Sequence, residues 1–309
     1  MSILTIILTV LGLCLFEIIC SIDNAIINAD VLATMGKRAQ RWFLFYGIIF
    51  AVFVVRGLLP LVIVWVLNPH FTMLQVFESM GNKEVAETIA GTAPILFMGG
   101  GVFLVLLFLH WFFLEDKNYG LHIERQIEKI GVWFYAVASI FLAVVVWYSM
   151  KLNPMLAFSA VVGSTAFFIT HGFKQNAEEE EAKLVSGTSA MSDIAKILYL
   201  EIIDMTFSID GVLGAFAFTL AIPIILIGNG LGAFVVREIT VSNVKNIKKY
   251  LFLKNGAMYS IMVLGLIMMA DGFGMHIPEW LSPICTFGIV GFFFFKSKIY
   301  IKKEALSNE

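Results

Sequence analysis

Two short stretches hold most of the acidic chemistry of this chain. "FEIICSIDNAII" (16–27) sets Glu17 and Asp23 in an apolar run, and "DMTFSIDGVL" (204–213) repeats the spacing with Asp204 and Asp210. A Ser-Ile-Asp core is shared, Ser21-Ile22-Asp23 and Ser208-Ile209-Asp210, followed by Asn24 in one copy and Gly211 in the other. Glu201 precedes Asp204 by three residues and has no counterpart in the first stretch. Carboxylates in apolar surroundings are tolerated only when paired, protonated or metal-bound. Two arginines could pair with them, Arg56 ending "AVFVVR" and Arg237 ending "GAFVVR". Set against two guanidiniums, Glu17, Asp23, Glu201, Asp204 and Asp210 leave negative charge in surplus. Carboxylate and amide oxygens are hard donors that suit Mn²⁺, Ca²⁺ or Mg²⁺ over softer metals. The spacing therefore predicts a divalent-cation site made by Glu17, Asp23, Asn24, Asp204, Asp210 and Glu201. Ser208, Asn28 and Asn229 are further candidate donors, and Arg56 and Arg237 balance charge. The same carboxylates can carry protons, so metal release could be exchanged for proton uptake. A purely structural alternative is that the acids form buried ion pairs that lock helix packing. Arg237, near the end of its span, could instead reach out to the interface.

Such acids need elements deep in a membrane to position them. The 309 residues are 59% hydrophobic and only 14% charged, with a mean hydropathy of +0.88. Soluble domains carry roughly 25% charged residues. The pattern excludes a soluble or nucleic-acid-binding protein and predicts an all-α, multi-pass membrane protein. A span needs about 20 apolar residues, and nine runs qualify: 3–32, 42–67, 94–114, 132–150, 154–172, 193–220, 222–241, 255–273 and 281–296. The first is expected to be a retained span rather than a cleaved leader. Basic residues crowd the connections after the first, third, fifth, seventh and ninth spans, whereas the opposite connections hold only Lys83 and Lys151. The charge rule then puts the N-terminus outside and the C-terminus in the cytoplasm of an inner (plasma) membrane. Cys14, Cys20 and Cys285 suggest neither a disulfide framework nor a metal site.

Spans 1–3 and 6–8 run in opposite directions and share both the acidic core and the Phe-Val-Val-Arg ending. They are candidate inverted repeats, an architecture whose sites form at the repeat interface on broken helices. The organisation expected is one transmembrane domain: first repeat 1–114, connector 115–192, second repeat 193–273, and a last span with a basic tail, 274–309. At about 100° per residue, the two acids of each copy would point about 120° apart on a straight helix. A break near each Ser-Ile-Asp would bring them together. Gly228-Asn229-Gly230 is expected to interrupt the seventh span, and Gly99–Gly101 to allow close helix approach. His110 and His171 are expected to be packing residues, and Asp271 a loop or cap residue. The loop 173–192, with its run of acids at 178–181, is expected to be a solvated linker, and the loop 68–93 to hold a short surface helix.

At these residues the chain resembles the TerC family of the wider LysE-like group of membrane transporters. The resemblance lies in Glu17 with Ser21-Ile22-Asp23-Asn24, and in Asp204 with Phe207-Ser208-Ile209-Asp210, and it extends over spans 1–3 and 6–8. The second motif departs from the family's usual Asp-Ser, reading Asp210-Gly211. The resemblance implies a non-enzymatic exporter of a divalent cation, foremost Mn²⁺, or a role in tellurite resistance. Family acids carry over to Glu17, Asp23, Asp204 and Asp210, and the family amide to Asn24. Three readings remain open at this stage. They are a Mn²⁺ exporter, a Ca²⁺/H⁺ exchanger, and a non-transporting scaffold that recruits partners through the loop 173–192. The sequence leaves oligomeric state open.

Overall fold

A backbone buried in lipid must satisfy its own N–H and C=O groups, so long apolar runs become helices. A computed structural model describes residues 2–47, 49–185, 191–242 and 249–307, without the side chains of 23, 24, 27, 51, 128, 175–179, 181, 182, 185, 207, 239–242, 305 and 307. Among the described residues the chain is all helix and connection, with no strand. The principal helices are α1 (Ile3–Leu32), α2 (Lys37–Leu67), α3 (Lys83–Leu114), α4 (Phe134–Leu152), α5 (Pro154–Val185), α6 (Asp193–Phe207), α7 (Ile209–Ala215), α8 (Ile222–Ser242), α9 (Leu253–Gly272) and α10 (Leu281–Ser307). Seven of them, α1 to α5, α9 and α10, are long and apolar enough to cross a membrane.

Glycines set how closely these helices approach. Gly228 and Gly232 of α8 lie one turn apart, and a Cβ on either would fall 2.6 Å from the Cβ of Leu13 or Glu17 on α1. The seventh apolar run is therefore one unbroken helix, contrary to the expected interruption, because its glycines serve contact rather than bending. At the centre, α3 packs on α5 and α9. The expected role of Gly99–Gly101 holds: a Cβ on Gly99 would meet Ser159 Oγ at 2.6 Å, and one on Gly101 would meet Met269 Cγ at 2.6 Å. The helix α3 begins at Lys83, capped by the Asn82 side chain, well before the expected start at 94. The surface helix of the 68–93 connection is reduced to Met73–Phe77, with a Thr72–Gln75 capping box. Likewise α5 continues to Val185, so the acidic run 178–181 extends a helix rather than forming a linker.

The two Ser-Ile-Asp segments fold differently. At the second, α6 stops and α7 starts at Ser208, whose hydroxyl donates to the Asp204 carbonyl at 2.6 Å. Such back-bonding bends helices, and Gly211 and Gly214 weaken the turns that follow. At the first, α1 runs straight through, against expectation. There the Ser21 hydroxyl donates to the Glu17 carboxylate at 2.6 Å instead of to the backbone, and no glycine follows. The helix α2 is α-helical at both ends but π-helical over Phe43–Gly47 and again over Phe50–Leu58. Pro60 has no N–H to give the Arg56 carbonyl four residues back, which favours the wider turn.

Hydrogen bonds tie the connections into two opposite ends. At one, Gly36 N–H donates to Asp193 Oδ2 at 3.1 Å, and Asn255 Nδ2 donates to the Asn118 carbonyl at 2.9 Å. Lys296 Nζ donates there to the Gly120 carbonyl. At the other end, Asn68 Nδ2 donates to Thr92 Oγ1 at 3.0 Å and Ser282 Oγ to the Ala217 carbonyl at 2.5 Å. Asp271 is the loop cap expected, its carboxylate accepting from Ile277 N–H at 2.6 Å.

Candidate functional site

The charged residues of α1, α2 and α6 converge in the bundle. Arg56, raised on the π-helical part of α2, forms an ion pair with Glu17 of α1. Its second terminal nitrogen lies 3.8 Å from Asp204 Oδ2 of α6. Ser21 completes the group through its bond to Glu17 and lies 3.5 Å from Arg56 Nη2. Glu17 and Arg56 are each only 2% exposed, and Asp204 is buried. One guanidinium therefore stands between the leading acids of the two Ser-Ile-Asp segments.

A second pair lies on α6 and α8. Arg237 Nη2 is 3.6 Å from Glu201 Oε1 and donates to the Phe43 carbonyl at 3.1 Å. Its guanidinium also lies 3.9 Å from the centre of the Phe43 ring. Arg237 is buried and does not reach out to an interface. Gly47 makes room for this pair, because a Cβ there would overlap both the Arg237 guanidinium and the Glu201 carboxylate. Nothing in the spacing of the sequence marks Gly47. Its role depends on the fold of α2 against two other helices.

The remaining predicted residues are placed as follows. A Cβ on Gly211 would sit 3.3 Å from Glu17 Oε2, so α7 begins beside the first pair. Asp210, the preceding residue, is half-buried and faces a separate cavity of about 60 Å³, lined also by Cys20, Thr170, His171, Lys174 and Thr206. The Ser208 hydroxyl is committed to the Asp204 backbone. Asn28 is buried. Asn229 is fully buried, and neither atom of its amide has a hydrogen-bond partner among the described residues. Its neighbours Gly228 and Gly230 face Leu13 of α1 and Val52 of α2, so the amide lies on the α8 face between those helices. Asp23 and Asn24 have side chains outside the described part. Among the described residues no group of three or more His, Cys, Asp or Glu side chains is gathered as a metal would need.

On one side of this network, at the end that holds Ser282 and Ala217, opens a hollow of about 600 Å³. Phe218 lines it and packs on Phe16, ring centroids 5.6 Å apart, next to Glu17. Toward the basic end lies a polar cluster that sequence spacing did not assemble. The rings of His110 and His171 are 3.7 Å apart, His110 Nδ1 is 3.5 Å from Glu115 Oε1, and Lys254 Nζ is 3.2 Å from Glu115 Oε2. Burial raises the Glu115 carboxyl, but His110, Lys174 and Lys254 outweigh it and hold the group below the usual carboxylate range. The signal in the sequence was weak, since these five residues come from three separate helices.

Long apolar helices around buried ion pairs define a multi-pass, all-α membrane protein. Residues 22–304 match the family model described as "Protein of unknown function (DUF475)", and the chain belongs to that family. No curated protein and no solved structure matches it.

Proposed function

We propose that this chain is an inner-membrane transporter that exports a divalent metal cation, foremost Mn²⁺, by alternating access. In this reading it is similar in function to the TerC transporters. The observation that carries the proposal is the position of Arg56 between Glu17 and Asp204, which joins the two acidic segments at one buried point. Such a guanidinium is a resident stand-in for a cation. With Glu17, Asp23, Glu201, Asp204 and Asp210 ionised against Arg56, Arg237 and the Lys174 that shares the Asp210 cavity, negative charge remains in surplus. A doubly charged ion would offset it, with Asn229 supplying an amide oxygen that has no partner among the described residues.

Packing supports the inverted repeats. The first helix of one triplet packs on the second of the other (α1 on α8), and the reciprocal contact, α6 on α2, is also made. The third helices, α3 and α9, pack on each other. A two-fold exchange of 1–114 with 193–273 would generate this pairing. With α6 and α7 counted as one crossing and α8 as another, nine crossings place every basic connection at one end. The N-terminus is then outside and the C-terminus in the cytoplasm.

The test is Mn²⁺ uptake by proteoliposomes holding wild type, Glu17→Gln or Asp204→Asn, with Ca²⁺ and Mg²⁺ in parallel. At least a tenfold loss of flux is expected in each variant. A second reading, in which the ion pairs only lock the helices of a scaffold, is favoured by the absence of a three-ligand group among the described residues. Undiminished flux in both variants, or no flux in wild type, would select it.

A further inference from the structure

The proposed transport site leaves a polar file unused. It begins at the cavity of about 60 Å³ in which His171, Lys174, Thr170, Thr206 and Cys20 share the lining with Asp210, the rest of it being apolar. A water molecule needs only about 10–15 Å³ of such space together with polar partners. The cavity thus has room for several waters against the His171 ring. From there the file continues by contact, His171 to His110 at 3.7 Å between ring centres, His110 to Glu115 at 3.5 Å, and Glu115 to Lys254 at 3.2 Å. Glu115 and Lys254 lie at the basic end of the bundle, where α3 finishes and α9 starts.

Two imidazoles laid ring against ring are a poor choice for core filling, because each carries polar nitrogens that apolar neighbours cannot satisfy. Each also has two distinct nitrogens, so a proton can enter at one and leave from the other. We propose that His110 and His171 conduct protons between the water-sized cavity and the basic end of the bundle, and that the proton is therefore the coupling ion of the transport cycle. Only the word coupling rests on the transport reading above. The path itself rests on the file.

Each transfer is a proton exchange with no change of oxidation state. A proton carried into the cavity on water is accepted by one nitrogen of His171, leaving neutral water behind, and the proton on its other nitrogen passes to His110. His110 passes its own from Nδ1 to the Glu115 carboxylate, which releases it at the membrane surface. The charged groups facing the pair fit this role. Lys174 faces His171 on its own helix, Asp210 faces it from α7, and Glu115 and Lys254 face His110. Lys117, bonded to the Trp111 and Glu115 carbonyls at 2.8 Å, closes the end.

The test uses the full chain in proteoliposomes with an internal pH dye. Wild type, His171→Asn and His110→Gln are compared under two driving forces: a Mn²⁺ gradient, and a K⁺/valinomycin potential with no metal present. We expect wild type to move protons under both, and each variant to lose at least tenfold under both. Mn²⁺ uptake by wild type without a dye signal would overturn the proton path and leave transport standing. Absence of Mn²⁺ uptake with a voltage-driven dye signal that the variants lose would do the reverse. A voltage-driven signal equal in all three proteins would also overturn the path. Should the histidine variants fail to fold, Cys20 gives a second approach in a Cys14→Ser/Cys285→Ser background. A small water-soluble thiol reagent should label Cys20 and block the dye signal, and either no labelling or an undiminished signal after labelling rejects the proposal.

Discussion

Removal of Arg56 should cost far more than removal of the acid it touches. Arg56 faces Glu17 directly and Asp204 at 3.8 Å. In Arg56→Met both carboxylates lose their shared cation, in a place where Glu17 is 2% exposed. Breaking a buried pair by deleting one partner typically costs about 3–5 kcal/mol, and two stranded acids put this variant at the upper end, about 5 kcal/mol. In Glu17→Gln, by contrast, Arg56 keeps Asp204, and the amide oxygen can still accept from Ser21 and Arg56. About 1–2 kcal/mol is expected there, nearer the loss of a charge-assisted hydrogen bond than of a whole pair. The double variant should recover part of the loss, because only Asp204 is then stranded. Reversible unfolding in mixed detergent–SDS micelles measures all three. If a divalent ion can take the place of the guanidinium, millimolar Mn²⁺ should stabilise Arg56→Met selectively. The gain would be about 2.7 kcal/mol at a hundredfold excess over the dissociation constant, and Na⁺ should give none. Equal stability of Arg56→Met and wild type, or a Glu17→Gln variant weaker than Arg56→Met, would refute the bridging argument.

Other substitutions probe neighbouring features. Asn229→Leu removes a fully buried amide that has no partner among the described residues, so unfolding free energy should rise by about 1–3 kcal/mol while Mn²⁺ flux falls; a less stable protein would show that the amide is satisfied. Gly47→Ala should separate Arg237 from Glu201 and cost about 2–4 kcal/mol, read in the same micelle assay, whereas Gly81→Ala, with open space at its Cβ, should cost well under 1 kcal/mol. Glu115→Gln should lose most stability at neutral pH. A carboxyl whose folded proton affinity is depressed contributes fully above its unfolded value of about 4.3 and progressively less as pH falls through it. The deficit should therefore hold down to about pH 5 and shrink from there toward about pH 2, and a deficit that grows on acidification would contradict the assigned direction.

The helices themselves were legible because lipid leaves the backbone so few options. The two acidic segments stood out by their repeated spacing, and Glu17, Arg56 and Asp204 do meet. What spacing could not reveal was the fate of a hydroxyl. Ser21 and Ser208 sit in identical tripeptides, yet one binds a carboxylate and leaves its helix straight, and the other binds a carbonyl and ends it. That choice depends on what faces each serine across the bundle. The glycines of α8 misled for a similar reason. In water-soluble helices they weaken a turn, but here they are contact surface. The His110–Glu115–Lys254 cluster stayed hidden because residues far apart in sequence meet only when α3, α5 and α9 are packed.

The glycine contact between α1 and α8 has a mechanical consequence. With Gly228 and Gly232 seated on the Leu13 and Glu17 side chains, these two helices have no slack to slide or part, although they belong to different halves of the sequence. A rigid-body rearrangement would therefore carry these two helices together. In the proposed transport cycle, the unit that moves would then join the first helix of one triplet to the second helix of the other, and hinge lines would run through each triplet rather than between them.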